Sequence, residues 1–449
     1  MTMRPGMQKD LPTSAVPLGD AVRAGDVAGR SWPGLGVLPA SVRYNLAHES
    51  VYAVTAGLVS GLILLAQVMV VAALGGGPEV AMVMTAALPS TSLLQPLWAE
   101  AARRVRLQTL ALCSGTLRLA PLALLGWADD AWTCAALVVL YYVAASANAL
   151  AVPSLYRYTY PDSHRGRIIG WLRLVQNGVA MPVMLGCAAL LDWQVSFRAV
   201  LFPGAAALAL VGIWFYSRLR IPGDDPAGRR RFSERATWRS MRLVLRQDSH
   251  FRLFQATIFL TGAGFLMSRP IWLYLLREHF AVSQVEMTLL VQVMPILLGA
   301  VTSPAWGWLI DKTSPVAGRV AFAWLGVLAY LALFGSFMFG WLSLAYAGAI
   351  LRGLVLGAAE VATTAGNLYF SLRPERAALY ESISSVFQGI RGLIMPVVGW
   401  GLYLVLHAGL FLVPTALNAW SLVLSLRLYH MDREHRRAQG IGRSVLDEQ

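Results

Sequence analysis

The stretch Ser154–Gly186, SLYRYTYPDSHRGRIIGWLRLVQNGVAMPVMLG, returns later in the same chain as Asn367–Gly399, NLYFSLRPERAALYESISSVFQGIRGLIMPVVG. Leu155, Tyr156 and Pro161 precede Leu368, Tyr369 and Pro374 by 213 residues. Gly178, Met181 and Pro182 precede Gly392, Met395 and Pro396 by 214, and Gly186 returns to 213 with Gly399. A second echo pairs QPLW from Gln95 with SPAW from Ser303. Two echoes in corresponding places indicate a duplicated unit. Each long copy runs from the end of one apolar segment through a basic loop into the next apolar segment, so the unit is built of membrane-crossing pieces.

Composition agrees. Of 449 residues 57% are hydrophobic and 14% charged, with a mean hydropathy of +0.56. Soluble domains average about 25% charged residues, so too little polar surface is present to cover an ordinary soluble enzyme or a nucleic-acid binder built around a basic face. Disorder is excluded by the same apolar content. Crossing a bilayer takes about 20 mostly apolar residues. Twelve such runs are expected, centred near Leu62, Pro89, Leu119, Val143, Val179 and Leu208, then near Gly264, Leu297, Val327, Leu356, Met395 and Thr415. Cys113, Cys134 and Cys187 lie inside apolar stretches without ligand spacing and read as packing residues.

The expected class is an all-α membrane protein with twelve transmembrane helices in two six-helix pseudo-symmetric bundles. Residues 1–43, rich in Gly, Pro, Ser and Asp, read as a disordered cytoplasmic tail. Residues 44–217 form the first bundle, 218–252 a basic cytoplasmic linker, 253–428 the second bundle and 429–449 a cytoplasmic tail. Within the linker IPGDDPAGRRR opposes regular structure. Ser233 to Arg252 reads as an amphipathic helix with Trp238, Met241 and Leu245 at helical spacing, or as a solvated linker loosely drawn to lipid.

Orientation follows from the +13 net charge. With both ends inside, thirty of the thirty-seven basic residues fall in cytoplasmic segments, five in spans and two, Arg198 and Arg277, outside. The outer loops carry Glu79, Asp129, Asp130, Asp192, Glu278 and Glu286. An odd span count would put half the basic clusters on the wrong face, so an even count with cytoplasmic termini satisfies the positive-inside rule. A bacterial inner membrane is the expected location.

Here the chain resembles the major facilitator superfamily. GWLIDK, Gly307 to Lys312, followed by Gly318 and Arg319, is similar to that family's loop signature of Gly, three residues, Asp and a basic residue, then Gly and a basic residue. PDSHRGR from Pro161 and RPERAALYES from Arg373 look like its loops after spans four and ten. In the first half Ala99 stands where the signature has Gly and Arg103 where it has Asp. A gating role, if present, then falls to Gly307, Asp311, Lys312 and Arg319; the bland reading is that the basic pair only holds the loop inside.

The chemistry is expected from charges at bilayer depth, each costing at least about 2.5–3.5 kcal/mol to place there. Arg118, Arg173, Arg269, Arg352 and Arg391 qualify, with Glu360 as the only acid well inside a span. The resemblance implies that spans one, four, seven and ten line a central cavity and two, five, eight and eleven flank it. That would direct Arg269, Arg352, Glu360 and Arg391 inward, along with Gln67, Asn148 and Gln388. Arg118, on span three, reads as structural. Two uses remain open: arginines binding an anionic solute with Glu360 as the proton-coupling carboxylate, or a structural Glu360–Arg391 pair.

The function so implied is secondary active transport of a small organic solute by alternating access, proton-coupled and with a mild preference for anions. Multidrug or metabolite efflux, anion exchange on the same fold, and a transport-inactive scaffold are the alternatives. No nucleophile elbow, phosphate loop or metal-ligand spacing appears, so the chain is not expected to be an enzyme or to hold a cofactor. Its partners are expected to be a small-molecule substrate and the lipid bilayer, with no nucleic acid and a monomeric state.

Overall fold

The computed structural model describes residues 31–32, 36–221, 224, 234–371 and 374–438. Two two-residue strands, β1 (Ser31–Trp32) and β2 (Gly36–Val37), pair antiparallel just ahead of the first span. Everything else of regular structure is helical. The first half comprises spans one (Ala40–Ala72), two (Pro78–Ala102), three (Leu107–Trp127), four (Ala131–Thr159), five (Asp162–Trp193) and six (Arg198–Ser217). The second comprises seven (Ser249–Phe280), eight (Gln284–Lys312), nine (Pro315–Phe339), ten (Leu342–Ser371), eleven (Pro374–Leu406) and twelve (Leu412–Ala438).

Eleven stretches are long and apolar enough to cross a membrane, and the last of them, Leu379–Glu434, runs over 56 residues. It is two helices. A 3-10 turn at His407–Phe411, with His407 at φ 48°, separates spans eleven and twelve, and both pack on span seven. The protein is therefore a twelve-helix membrane protein.

Span ends are set by local chemistry. Asp130 accepts the Thr133 N–H at 2.9 Å and starts span four; the Thr133 side chain, then its N–H, hold the Asp130 carboxyl below its ordinary range. Asp248 accepts from Phe251 N–H at 2.8 Å to start span seven. Ser314, followed by Pro315 at the first helical position, starts span nine through the Ala317 N–H at 3.1 Å. Gly340, at φ 69°, takes the left-handed conformation that ends it.

Part of the linker is structural. Asp224 accepts the N–H groups of Leu107 (3.1 Å) and Gln108 (3.0 Å), capping span three. Arg220 exchanges two backbone bonds with the side chain of Asn45 in span one. The amphipathic helix is Glu234–Gln247: Met241 is buried with Phe251 and Tyr380 in a second-half cluster, while Trp238 is exposed.

The repeat becomes a packing rule. In the first half span one packs on five and six, four on two and three, and three on six; in the second, seven packs on eleven and twelve, ten on eight and nine, and nine on twelve. Adding six to each number converts one set into the other. The halves meet through span two against eleven and span five against eight, again a pair related by the same operation.

The apolar core breaks that symmetry between the two ends. At the end opposite the termini one continuous cluster joins both halves, from Leu62, Val70 and Met84 to Trp272, Leu276, Tyr330 and Phe411. At the termini end four smaller clusters each stay within one half. The molecule is sealed by apolar contact at one end and divided at the other.

Candidate functional site

The site lies between the halves. At the divided end a crevice of about 480 Å³ opens, lined by Arg173 of span five, Ser303 of span eight, and Val361, Thr364, Ala365 and Leu368 of span ten. Arg173 is thus the arginine that reaches the described cavity.

At the sealed end Arg269 ties the halves together. Its guanidinium donates to Gln292 Oε1 at 2.8 Å and to Gln67 Oε1 at 3.4 Å; the Gln67 amide in turn donates to the Met84 carbonyl at 3.3 Å. Spans one, two, seven and eight therefore converge on one cation. Gln292 sits in a π-helical turn, Leu289–Val293, a distortion of span eight of the kind often found at functional sites.

The other arginines are buried inside the second half. Arg352 of span ten donates to Ser268 Oγ at 3.2 Å and lies 4.4 Å from the Phe265 ring, 4.8 Å from Trp272 and 5.6 Å from Tyr330. Arg391 of span eleven donates to the Ile258 carbonyl at 2.7 Å, its guanidinium lying where a side chain at Gly262 would stand. Arg319, 1% exposed, donates to Thr257 Oγ1 at 3.1 Å and Thr261 Oγ1 at 3.2 Å, with Phe322 4.1 Å below. Among the described residues no carboxylate lies within ion-pair distance of Arg269, Arg319, Arg352 or Arg391. Desolvation of these cations is offset by hydroxyls, carbonyls and aromatic faces, the last worth about 2 kcal/mol each when water is excluded.

These placements correct several expectations. Gly307, Asp311 and Lys312 belong to the last turns of span eight, not to a loop, and Arg319 lies inside span nine; only Thr313 and Ser314 separate the helices. The Ser314 cap and Pro315 start span nine at once, so Arg319 is carried into the bundle. Lys312 Nζ stacks 4.4 Å over Trp308 and Asp311 is exposed. Arg352 faces spans seven and nine within the second half rather than the crevice. Asn148 faces Gly115 of span three, its amide atoms buried without partners. Gln388 is exposed. Arg118 donates to the Tyr52 hydroxyl at 3.3 Å. The backbone of Glu360 lies in span ten, and its side chain lies outside the described residues, as does that of Arg103.

A further acid, not among the expected site residues, is buried within the helix of span one. Glu49 of span one is 3% exposed and accepts the Tyr160 hydroxyl at 2.5 Å. The apolar run of span one begins after Glu49, although the helix begins nine residues before it. The positions of Arg173 and Gln292 depend on helix rotation, which residue order does not carry. Among the described residues no three His, Cys, Asp or Glu gather to hold a metal.

No protein of curated function matches this sequence. Solved structures match the fold. A nucleoside transporter, NupG, in its D323A mutant form, is 13% identical, covers 86% of this chain and 99% of its own, and has a TM-score of 0.64. A POT family transporter in complex with a thioalcohol-conjugated peptide is 11% identical, with 86% and 96% covered and a TM-score of 0.68. The family model described as the Major Facilitator Superfamily matches residues 50–399. With more than half of its length so matched, and with twelve helices in two halves that repeat one packing scheme, the chain belongs to the Major Facilitator Superfamily.

Proposed function

We propose that this protein is a secondary active transporter that carries a small organic solute, preferentially an anion, by alternating access and with proton coupling. The observation that carries the anionic preference is the placement of two arginines between the halves, Arg173 in the crevice wall and Arg269 at the sealed end. Guanidinium groups recognise carboxylates and phosphates by charge-assisted, bidentate hydrogen bonds. The crevice at Arg173 is the solute entrance, and the apolar seal at the opposite end is the closed gate. Rocking of one half on the other opens the seal and closes the crevice. The termini are cytoplasmic on the positive-inside count, the membrane is a bacterial inner membrane, and the monomer is the working unit. Asp311 and Lys312, exposed at the end of span eight, act as gating charges that make and break pairs as the halves rock.

A second reading is efflux of varied apolar solutes, favoured by Val361, Ala365 and Leu368 in the crevice wall. The deciding experiment is flux into proteoliposomes under an imposed pH gradient, with a panel of organic anions and amphipathic cations preselected by thermal shift. Gradient-driven accumulation of an anion supports the first reading. Export of cations supports the second, and no flux from a folded protein supports an inactive scaffold.

A further inference from the structure

Among the described residues, the first-half spans bury a single carboxylate. Glu49 stands about 14 Å along span one from its start. It accepts a hydrogen bond at 2.5 Å from the hydroxyl of Tyr160, the residue that caps the end of span four, and interacts electrostatically with Tyr156 of that span. No described cation lies within ion-pair distance of it.

The groups facing this pocket come from every neighbouring span. Span one contributes Tyr52, which interacts electrostatically with Tyr156; the neighbouring His48 turns instead to the Tyr44 carbonyl, 2.8 Å from its Nδ1, and to the Phe215 ring. Span five contributes Arg165, which donates to the main-chain carbonyls of Tyr156 (3.2 Å) and Tyr160 (3.1 Å), and Arg173, which interacts electrostatically with Tyr156. Span six contributes Tyr216, with Asp224 beyond it at the cap of span three.

The second half places its buried carboxylate elsewhere, on span twelve. Tyr369, the counterpart of Tyr156, donates to Asp432 of span twelve at 2.6 Å. The junction of spans seven and ten is tied by amides and a hydroxyl: Gln255 donates to Asn367 at 3.1 Å and to Ser384 at 2.6 Å, and Asn367 donates to the exposed Glu381 at 2.7 Å. A buried carboxylate holds the first-half junction, whereas the chain of amides and a hydroxyl at the second ends on an exposed one.

We propose that Glu49 is a proton-binding site that ties span one to the end of span four through Tyr160. Protonation converts the carboxylate to a carboxylic acid and removes its negative charge. The Tyr160 hydroxyl then loses its ionic acceptor, and the end of span four loosens from span one. The assignment rests on the transport reading only in making this proton the coupling ion.

The test uses full-length protein in lipid nanodiscs, titrated between pH 5 and 9. Carboxylic-acid infrared absorption reports protonation, and spin labels on span one and at the end of span four report their separation. Wild type should show a carboxyl band and a distance change with a common midpoint. Glu49→Gln should lose both, and Tyr160→Phe should displace the midpoint. The proposal is overturned if Glu49→Gln titrates like wild type, or if wild type shows no titrating band. Should Glu49→Gln not fold, an unmoved midpoint in Tyr160→Phe overturns it. Gradient-driven flux in the same variants separates the two readings. Full flux in Glu49→Gln counts against Glu49 alone, and a titrating Glu49 in a protein that moves no solute counts against transport alone.

Discussion

The carboxylate of Asp192, in the last turn of span five, accepts the N–H of Gln284 at 2.9 Å in the first turn of span eight, and the N–H of Val285 at 3.1 Å. One half thus supplies a helix cap to the other. The bond can exist only while the sealed end is closed. Removing a cap costs about 1 kcal/mol, with the exposed position favouring the lower part of the range. Asp192→Ala should therefore reduce the closed-to-open ratio at this end about fivefold, and Asp192→Asn less, as read by spin-label distances between spans five and eight. Unchanged distances would mean that the apolar core alone holds the seal.

Gly178 and Gly392 are equivalents in the repeat yet meet different surroundings. A Cβ on Gly392 would lie 2.4 Å from Cβ of Pro89 in span two, whereas one on Gly178 meets nothing within 4 Å. Gly392→Ala should force spans two and eleven apart and lower the melting temperature by several degrees. Gly178→Ala should leave it unchanged or raise it, since alanine is favoured over glycine in a helix by about 0.5–1 kcal/mol. Thermal unfolding of the two variants side by side checks the pair.

Arg319 is buried without a carboxylate, and its partners have other acceptors: Thr257 Oγ1 also donates to the Phe254 carbonyl at 2.7 Å and Thr261 Oγ1 to that of Thr257 at 3.0 Å. Replacing such a cation by a flexible apolar chain removes a desolvation cost while leaving no orphaned hydroxyl. Arg319→Met should raise thermal stability. A fall of more than about 5 °C, in a domain where a few degrees represent about 1 kcal/mol, would show that the guanidinium is a net stabiliser.

Arg269 and Arg319 should behave differently. Arg269→Lys keeps the charge but shortens the reach of the one nitrogen, Nη2, that meets both Gln292 and Gln67. Transport of an anionic solute should weaken at least tenfold in KM, equivalent to about 1.4 kcal/mol, with thermal stability near wild type. Equal loss of stability and transport would assign Arg269 to closure of the seal instead of to the solute.

Much of the architecture is legible in one dimension. Hydropathy counts spans because each helix must satisfy its backbone within itself, and the repeat from Ser154 and Asn367 shows that the second six copy the first. The site was legible only in part. The hydropathy window that found span one began beyond Glu49, and residue types alone could not say that Arg352 meets Phe265, Ser268 and Trp272. Each residue turns a helix by about 100°, so a face assignment fails with an error of one or two positions.

The sequence by itself determined twelve spans, their duplication and the side on which the basic residues gather, because these depend on composition along the chain. Tertiary structure alone decided that Arg173 reaches the crevice, that Arg269 joins four spans, and that Glu49 is held by Tyr160. It also decided which end is sealed. The reason is that helix rotation and the mating of the halves are set by side-chain packing between distant segments, as where Gly392 meets Pro89 and Gly178 meets open space.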